Sequence, residues 1–430
     1  SNLTKRDHLT LQGDLYSGKI NQDLYLINAT SVQFPYYMDT YPVKTHVAGK
    51  NILSRWAHSL SDASDFALKL YYDATSRTED IVNQKRDSFD IDFQHRFQAG
   101  SRNEIIWGTR YHWTRDDFSS PSFIGPKVID IDPAKRQDHL YSLFVQDEIR
   151  LLKNRLNLTL GTKFEHNAYS GFEVQPSARI MWKPNGANRL WASVSRAVRT
   201  PSRAEHDANV NYLSFDSSMA GGPMGTPLIV GINSNKNLKP EELIAYETGY
   251  RFMPSPRFSM DAALFFNDYE NLRAGETAGT PISKITNQGT AQNYGLELAL
   301  GYRFSDFFTC SLAYGHMEDH IRHNAPEGGT ANQASIRGVF TLPEIMELNI
   351  WLRYVDETRA TYVLSPNGWY EVNDYLTMDL RLGWQISPEL EFSLVGQNLF
   401  QDRHLEFVQE GFSRPVEVPR AFYGKLSYRF

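Results

Sequence analysis

Alternation of apolar and polar residues recurs along almost the whole 430-residue chain. In the segment SFDIDFQHRF, Phe89, Ile91 and Phe93 share one parity, while Asp90 and Asp92 share the other. Successive side chains of a β-strand point to opposite faces, so this period predicts strands with one apolar and one polar face. The same pattern occurs in RLNLTLGTKF, NYGLELALGYRF, MELNIWLRYV and YLTMDLRLGW. These runs of about ten residues are longer than typical soluble strands and match a tilted membrane-spanning strand.

The composition restricts which membrane or soluble classes fit this pattern. Hydrophobic residues make up 41% of the chain, and no run of about 18 apolar residues is present, which excludes a helical membrane span. Membrane β-barrels escape that criterion because only every second strand residue is apolar. The net charge of -6 gives no basic footprint for nucleic acid. Cys310 is the single cysteine, so no intrachain disulfide can form.

The connections between the predicted strands alternate between short and long. Short connections are predicted at 151–154, 183–188, 253–256, 303–307, 341–344 and 386–389, and long polar ones near 18–48, 113–137, 197–241, 268–289, 317–332, 356–372 and 398–418. Roughly 18 antiparallel strands with short turns at one end and long loops at the other indicate an all-β transmembrane barrel. Closure into a barrel also removes the exposed edges that a flat sheet of this size would have.

Five segments resemble the barrel of TonB-dependent outer-membrane receptors in their order and spacing. They are LYSLFVQDEI (140–149), SRAVRTPSRAE (195–205), NKNLKPEELIAYETGYRF (235–252), VGQNLF (395–400) and the terminal YGKLSYRF (423–430). The resemblance covers most of the chain from about residue 50 onward. It identifies the chain as a member of a family of outer-membrane transporters.

This resemblance implies a 22-strand barrel, a plug domain in its lumen and coupling to the TonB inner-membrane complex. Because the chain opens directly on the strand-like segment DHLTLQGDLY, we expect residues 1–430 to be a barrel portion of about 18 strands, without plug or signal peptide. The implied function is energy-coupled uptake of an iron chelate (siderophore) or a similar scarce nutrient. The receptor would contact outer-membrane lipid, and no cofactor is expected. A haem or cobalamin receptor and a passive porin-like channel remain alternatives.

Candidate ligand contacts lie in the predicted long loops. Arg199 and Arg203 offer planar guanidinium groups for an anionic ligand, and the resemblance allows His206 as a haem ligand. Equally, SRAVRTPS is compatible with a strand-to-loop transition in which Pro201 ends the hydrogen-bonded ladder. Aromatic residues of two loops suit a flat or hydrophobic ligand, although they can also pack the loops together; they are Tyr36, Tyr37, Tyr41, Tyr212 and Phe215.

Two other kinds of site receive little support from the sequence. His316, His320 and His323 lie close together in GHMEDHIRH and are weak candidates for a transition-metal site; solvated loop histidines are the alternative. The chain contains no GxSxG, HExxH or glycine-rich phosphate motif, so we expect a protein that is not an enzyme. Finally, Phe422, Leu426, Tyr428 and Phe430 share one parity at the chain end, which predicts a closing strand with a lipid-facing stripe.

Overall fold

The computed structural model describes residues 6–28, 36–121, 127–276, 281–323, 331–342, 345–361, 369–408, 412 and 415–429. Strands dominate this part of the chain, as the alternation predicted. Their bounds are β1 Asp7–Ile27, β2 Met38–Ser61, β3 Ser64–Thr78, β4 Asn83–Ala99, β5 Asn103–Ser119, β6 Ile129–Ile131, β7 Lys135–Leu152, β8 Leu156–Asn167, β9 Gly171–Trp182, β10 Asn188–Arg199, β11 Ala208–Asp216, β12 Pro227–Asn233, β13 Glu241–Ser255, β14 Phe258–Glu276, β15 Ile282–Ser305, β16 Phe308–His323, β17 Asn332–Leu342, β18 Met346–Val355, β19 Thr358–Thr361, β20 Trp369–Val372, β21 Tyr375–Gln385, β22 Leu390–Gln397, β23 Arg403–His404, β24 Val418–Pro419 and β25 Ala421–Tyr428.

Two short helices complete the described elements. The helix α1 spans Arg203–Asp207, and a 3-10 helix spans Ser217–Ala220; both lie in the longest connection, between β10 and β13. In the described part of the chain, no helix combines the length and the hydrophobicity that crossing a membrane would require.

Eighteen of the strands form one antiparallel meander in which each strand pairs with the next along the chain. Its order is β1, β2, β3, β4, β5, β7, β8, β9, β10, β13, β14, β15, β16, β17, β18, β21, β22 and β25. The sheet curls back on itself: the amide of Tyr25 in β1 donates to the carbonyl of Phe412, which follows β22, at 2.8 Å. The predicted barrel of about 18 strands is therefore confirmed, whereas its place in a 22-strand barrel remains a prediction.

The outer face of the meander is apolar and the inner face is polar. Side chains of the apolar parity are strongly exposed, including Leu11 (68%), Leu15 (82%) and Leu264 (57%). Buried apolar residues cluster instead at the long-loop end, where Leu24, Leu26, Val43, Ile81 and Val128 pack together. An exposed apolar belt around a polar interior is the arrangement of a barrel whose solvent is lipid.

Several strands extend beyond the bounds that the sequence suggested. β1 and β2 stay paired from Asp7↔His58 to Ile27↔Met38, although 18–48 was predicted as a loop. β5, β14 and β16 likewise continue into the predicted loops 113–137, 268–289 and 317–332. The prediction was wrong there because it followed the apolar stripe, whereas backbone pairing continues past the apolar belt without apolar side chains. The predicted lipid-facing stripe of β25 includes Phe422, exposed at 72%; Phe430 lies outside the described residues.

Candidate functional site at the long-loop end

The helix α1 is capped at its start by Ser202, which directly follows Pro201. The Ser202 hydroxyl accepts a hydrogen bond from the Glu205 amide at 3.2 Å, and the Glu205 carboxylate accepts from the Ser202 amide at 2.7 Å. This reciprocal capping box satisfies two backbone donors of the helix start. Five residues are too few for an isolated helix, so the stability of α1 depends on contacts with the surrounding strands.

One set of contacts joins α1 to the strands on either side of the longest connection. Arg199, the last residue of β10, donates to Glu205 at 2.8 and 3.1 Å and to Glu241, the first residue of β13, at 2.6 and 2.7 Å. Arg273 of β14 adds a third bond to Glu205, at 3.0 Å. Burial alone would raise the pKa of Glu205, but the hydrogen bonds from Arg199 and Ser202 hold it at about 2. The two carboxylates in turn raise the pKa of Arg199.

A second set of contacts surrounds Asp207, whose side chain is completely buried. Its carboxylate accepts from Arg136 of β7 at 3.0 Å, from Arg203, and lies 2.9 Å from Nδ1 of His206. Arg203 also binds Asp116 of β5 at 3.1 Å. Although burial opposes it, these bonds lower the pKa of Asp207. We call Arg136, Arg199, Arg203, Glu205, Asp207, Glu241 and Arg273 the ionic brace, because together they fasten α1 to β5, β7, β10, β13 and β14.

Three of the predicted ligand contacts, Arg199, Arg203 and His206, lie in or beside the ionic brace. Arg199 and Arg203 direct their guanidinium groups to carboxylates of the protein itself. His206 is 13% exposed and packs its ring edge-on against Tyr169 at 5.2 Å, beside Asp207. Contact of these three side chains with a ligand therefore remains a prediction. Their structural partners are up to 87 residues away in sequence, and no local motif signals them.

The aromatic candidates of the two loops do meet in space. Tyr36 forms an isolated antiparallel bridge with Phe215, and the Tyr37 amide donates to the Ser214 carbonyl at 3.0 Å. The Tyr37 hydroxyl donates to Asp216 at 3.0 Å. Asp216 is fully buried and also accepts from the amides of Ser218 and Gly225; these bonds hold its pKa at about 2. Residues that the sequence separates by nearly 180 positions thus form one surface.

The other two aromatic candidates differ in their surroundings. Tyr41 packs against the buried apolar cluster at the long-loop end, as a loop-packing role would require. Tyr212 lies on β11 between Asn211 and Leu213, and burial raises the pKa of its phenol. The tip beyond β11 presents exposed thioethers, with Met219 at 54% and Met224 at 75% exposure.

The hairpin of β11 and β12 bridges separate parts of the meander. β11 pairs with β6, which follows β5, through Ala208↔Ile131 and its neighbours. β12 pairs in parallel with the start of β15 through Gly231↔Ile282. Strands β5 and β15 are not adjacent in the meander, so residues 200–240 connect distant parts of the wall at its long-loop end. We call this segment the cover.

The three histidines of β16 do not form a metal site. The segment is an extended strand, so residues four apart on one face are separated by about 13 Å. His316 Nδ1 lies 3.0 Å from Asn332 Oδ1. Among the described residues, no group of three or more His, Cys, Asp or Glu side chains is placed to hold a metal ion.

The inner wall is lined with charges that pair across strands. Arg110 binds Asp90 at 2.6 Å and Arg353 binds Asp379 at 3.0 Å. Arg353 also stacks on Trp351, 4.5 Å from the ring centroid. Trp351 therefore belongs to the inner face, opposite in parity to Leu352 and its lipid-facing neighbours.

Residues 2–399 match the family described as TonB dependent receptor-like, beta-barrel. The chain belongs to this family. A curated relative, the probable TonB-dependent siderophore receptor PirA of Acinetobacter baumannii, is 23% identical over 367 residues, which are 74% of this chain and 46% of the relative. The chain thus spans about half the length of that TonB-dependent relative.

Solved structures of an iron transporter and of a ferric enterobactin receptor share the fold. The FrpB iron transporter of Neisseria meningitidis superposes with a TM-score of 0.72 at 12% identity, covering 99% of this chain and 69% of that one. A mutant of the ferric enterobactin receptor PfeA of Pseudomonas aeruginosa, solved in complex with enterobactin, gives 0.67 at 14% identity, covering 99% and 77%. At these identities the likeness establishes the barrel architecture.

Proposed function

We propose that this chain is the ligand-recognising barrel of an outer-membrane receptor for energy-coupled uptake of a ferric siderophore. Membership of the TonB-dependent receptor-like family is the observation that carries the proposal. The names of the relatives point in the same direction, since PirA and PfeA are siderophore receptors. The exposed apolar belt supports placement in a membrane, and the family supports the outer membrane in particular.

The cover at the long-loop end favours a receptor over a passive channel. Residues 200–240 link β6 to β15 and are fastened by the ionic brace. A porin-like channel gains nothing from a cover that is braced at several points, whereas a receptor uses fixed outer loops to present a recognition surface. The brace gives Arg199 and Arg203 the role of holding that surface in place.

Within this proposal, the ligand docks on the aromatic surface where the two loops meet. Tyr36 and Phe215 lie side by side there, with Tyr212 three residues before Phe215 on β11. Aromatic faces suit the flat aromatic groups of an iron chelate such as ferric enterobactin. Haem and cobalamin remain alternatives because their macrocycles also offer flat faces to aromatic side chains.

Two partners of the proposed receptor rest on the family resemblance alone. A plug domain would fill the lumen, where its contacts would be the inner-face charges of the wall. TonB would supply the coupling from the inner membrane. Both stay predictions. They are compatible with the match to PirA, which covers 46% of that relative.

The test measures ligand binding to the purified chain in detergent. Ferric enterobactin should quench tryptophan fluorescence with saturable affinity. Phe215→Ala should weaken binding at least about fivefold, since stacking of a flat ring on one aromatic side chain contributes about 1–3 kcal/mol. Tyr428→Ala, an exposed aromatic at the other end of the sheet, is the matched control and should bind normally.

Two outcomes would count against the proposal. Tight binding of haem without binding of any ferric siderophore would favour the haem alternative. Free diffusion of small solutes into liposomes containing the full-length protein, with no saturable ligand, would favour the passive channel.

A further inference from the structure

Positive charge is concentrated on one sector of the outer face, above the apolar belt. On β1 to β5, the face that carries the apolar side chains also carries exposed basic residues near the long-loop end. They are Lys19, Lys44, Lys50, Lys85 and Arg115. On the same face of β13 to β18 acids are more frequent, namely Glu242, Asp268, Glu270, Glu318 and Asp356. Glu242 and Asp268 pair with Arg196 and Arg322, and the basic sector itself contains Asp87 and Asp117, the latter paired with Lys135. The chain as a whole is acidic, so the basic sector is a local feature.

A cavity of about 430 Å³ lies within this basic sector. Its walls include Lys50 of β2 and Lys85 of β4, which flank β3. Register places Lys50 opposite Ala74 and Lys85 opposite Ser76. Because these two β3 side chains are small, they leave a recess between lysines whose strands are about 10 Å apart.

Neither lysine has a partner in the described residues. Both side chains are exposed, and no ion pair or hydrogen bond of the described residues involves either ammonium group. Asp87 also borders the recess, but its carboxylate accepts a hydrogen bond from the Tyr72 hydroxyl at 2.8 Å. The recess therefore holds two unpaired lysine side chains beside one carboxylate, which keeps its negative charge because its hydrogen-bond donor is a neutral phenol.

The position of the recess, at the edge of the apolar belt, indicates which class of molecule it binds. Immediately toward the short-turn end on the same face lie Ile52, exposed at 52%, and Leu70, exposed at 39%. Leu15, exposed at 82%, borders the recess on β1. Cations directly above exposed aliphatic side chains match a molecule with an anionic head and hydrocarbon tails.

We infer that Lys50 and Lys85 bind a phosphate group of an anionic membrane lipid, with its acyl chains lying along Leu15 and Ile52. This inference rests on the proposed placement of the barrel in the outer membrane. Lys19 and Lys44, diagonal neighbours across β1 and β2, lie further from the belt and face the more distant charges of the same headgroup layer. The face of β13 to β18 is richer in acids and therefore less favourable for such lipids, so we expect binding on the basic sector.

Native mass spectrometry of the chain in neutral detergent tests the inference. Lipid A, which carries two phosphates, should remain bound, while the same lipid with its phosphates removed should not. The Lys50→Gln/Lys85→Gln variant should bind lipid A about 25-fold more weakly, from about fivefold for each lysine near a charged surface. Raising the ionic strength should weaken binding to the parent chain, because salt screens exposed charges.

A matched variant and a lipid-free measurement make the outcomes distinct. Lys153→Gln changes an exposed lysine in a short turn and should leave lipid A binding unchanged. Equal binding of the dephosphorylated lipid, or unchanged binding by the double variant, would overturn the inference. Saturation by millimolar inorganic phosphate without any lipid preference would also overturn it. A chain that lost its strand content in detergent, by circular dichroism, would instead contradict the membrane placement itself.

Discussion

Arg199 and Glu205, six residues apart, are joined by hydrogen bonds of 2.8 and 3.1 Å across the start of α1. The same guanidinium group binds Glu241 at the beginning of β13. Arg199 thus links the end of β10, where the longest connection begins, to the start of β13, where it ends. A loop of about 40 residues closed at its base in this way loses much of its conformational freedom, so the cover behaves as part of the wall.

Arg199→Ala should loosen the cover. Glu205 and Glu241 would lose their shared partner, and Arg273 alone would remain to compensate Glu205. Because Arg199 is half exposed, we expect a loss of about 2 kcal/mol, less than for a fully buried pair. Hydrogen exchange of residues 200–240 measures the effect. Arg251→Ala is the control: its guanidinium is as exposed as that of Arg199, but its partner Asp261, at the opposite end, is exposed as well, so the loss should cost less than about 1 kcal/mol.

Acid should release the cover within a defined pH window. The pKa of Glu205 is about 2 in the folded protein and 4.5 ordinarily. A carboxyl group with a lowered folded-state pKa stabilises the fold above its ordinary pKa, and this contribution disappears as the pH falls from about 4.5 to 2. The protection factors of the cover amides, which correct for the slower intrinsic exchange of amides in acid, should therefore fall over that range. Glu205→Gln should exchange faster at neutral pH and lose most of the pH dependence; an unchanged profile in this variant would show that another group controls the release.

Tyr37→Phe should weaken the junction between the two loops. The substitution removes the 3.0 Å hydrogen bond to Asp216. Two backbone amides still bind Asp216, so we expect a partial loss of stability at the junction while Asp216 stays in place. Protection of the Tyr37 amide, which donates to Ser214, should fall. Tyr36→Phe is the matched control because the described contacts of Tyr36 are through its backbone bridge.

The parity of the wall predicts opposite effects for two adjacent residues. Leu298 of β15 lies on the apolar face in the middle of the belt, and Glu297 borders a cavity on the inner face. Leu298→Lys should destabilise the barrel in lipid bilayers by about 2–4 kcal/mol, whereas Glu297→Lys should be tolerated. Denaturant titration of refolding into vesicles compares them. Equal losses for both variants would contradict the assignment of the two faces.

The alternation of residues was sufficient to predict the strands, their two faces and the barrel class. Phe89, Asp90 and Ile91 show why: the pleat of a strand sends neighbouring side chains to opposite sides, so sequence order alone assigns the face. The alternation of long and short connections could also be predicted from the sequence. The ends of β1, β5, β14 and β16 could not, because pairing above the apolar belt depends on the partner strand and leaves no apolar signature.

The ionic brace and the basic recess were decided by the tertiary structure. Arg199 and Arg203 stood out in the sequence as free cations for a ligand, yet their partners Glu241 and Asp116 come from other strands. Lys50 and Lys85 have no motif, and only the register of β2, β3 and β4 brings them to one recess. Face assignment follows from the local geometry of each strand. The meeting of distant charges depends on strand register, sheet curvature and the path of the cover, which only the folded chain specifies.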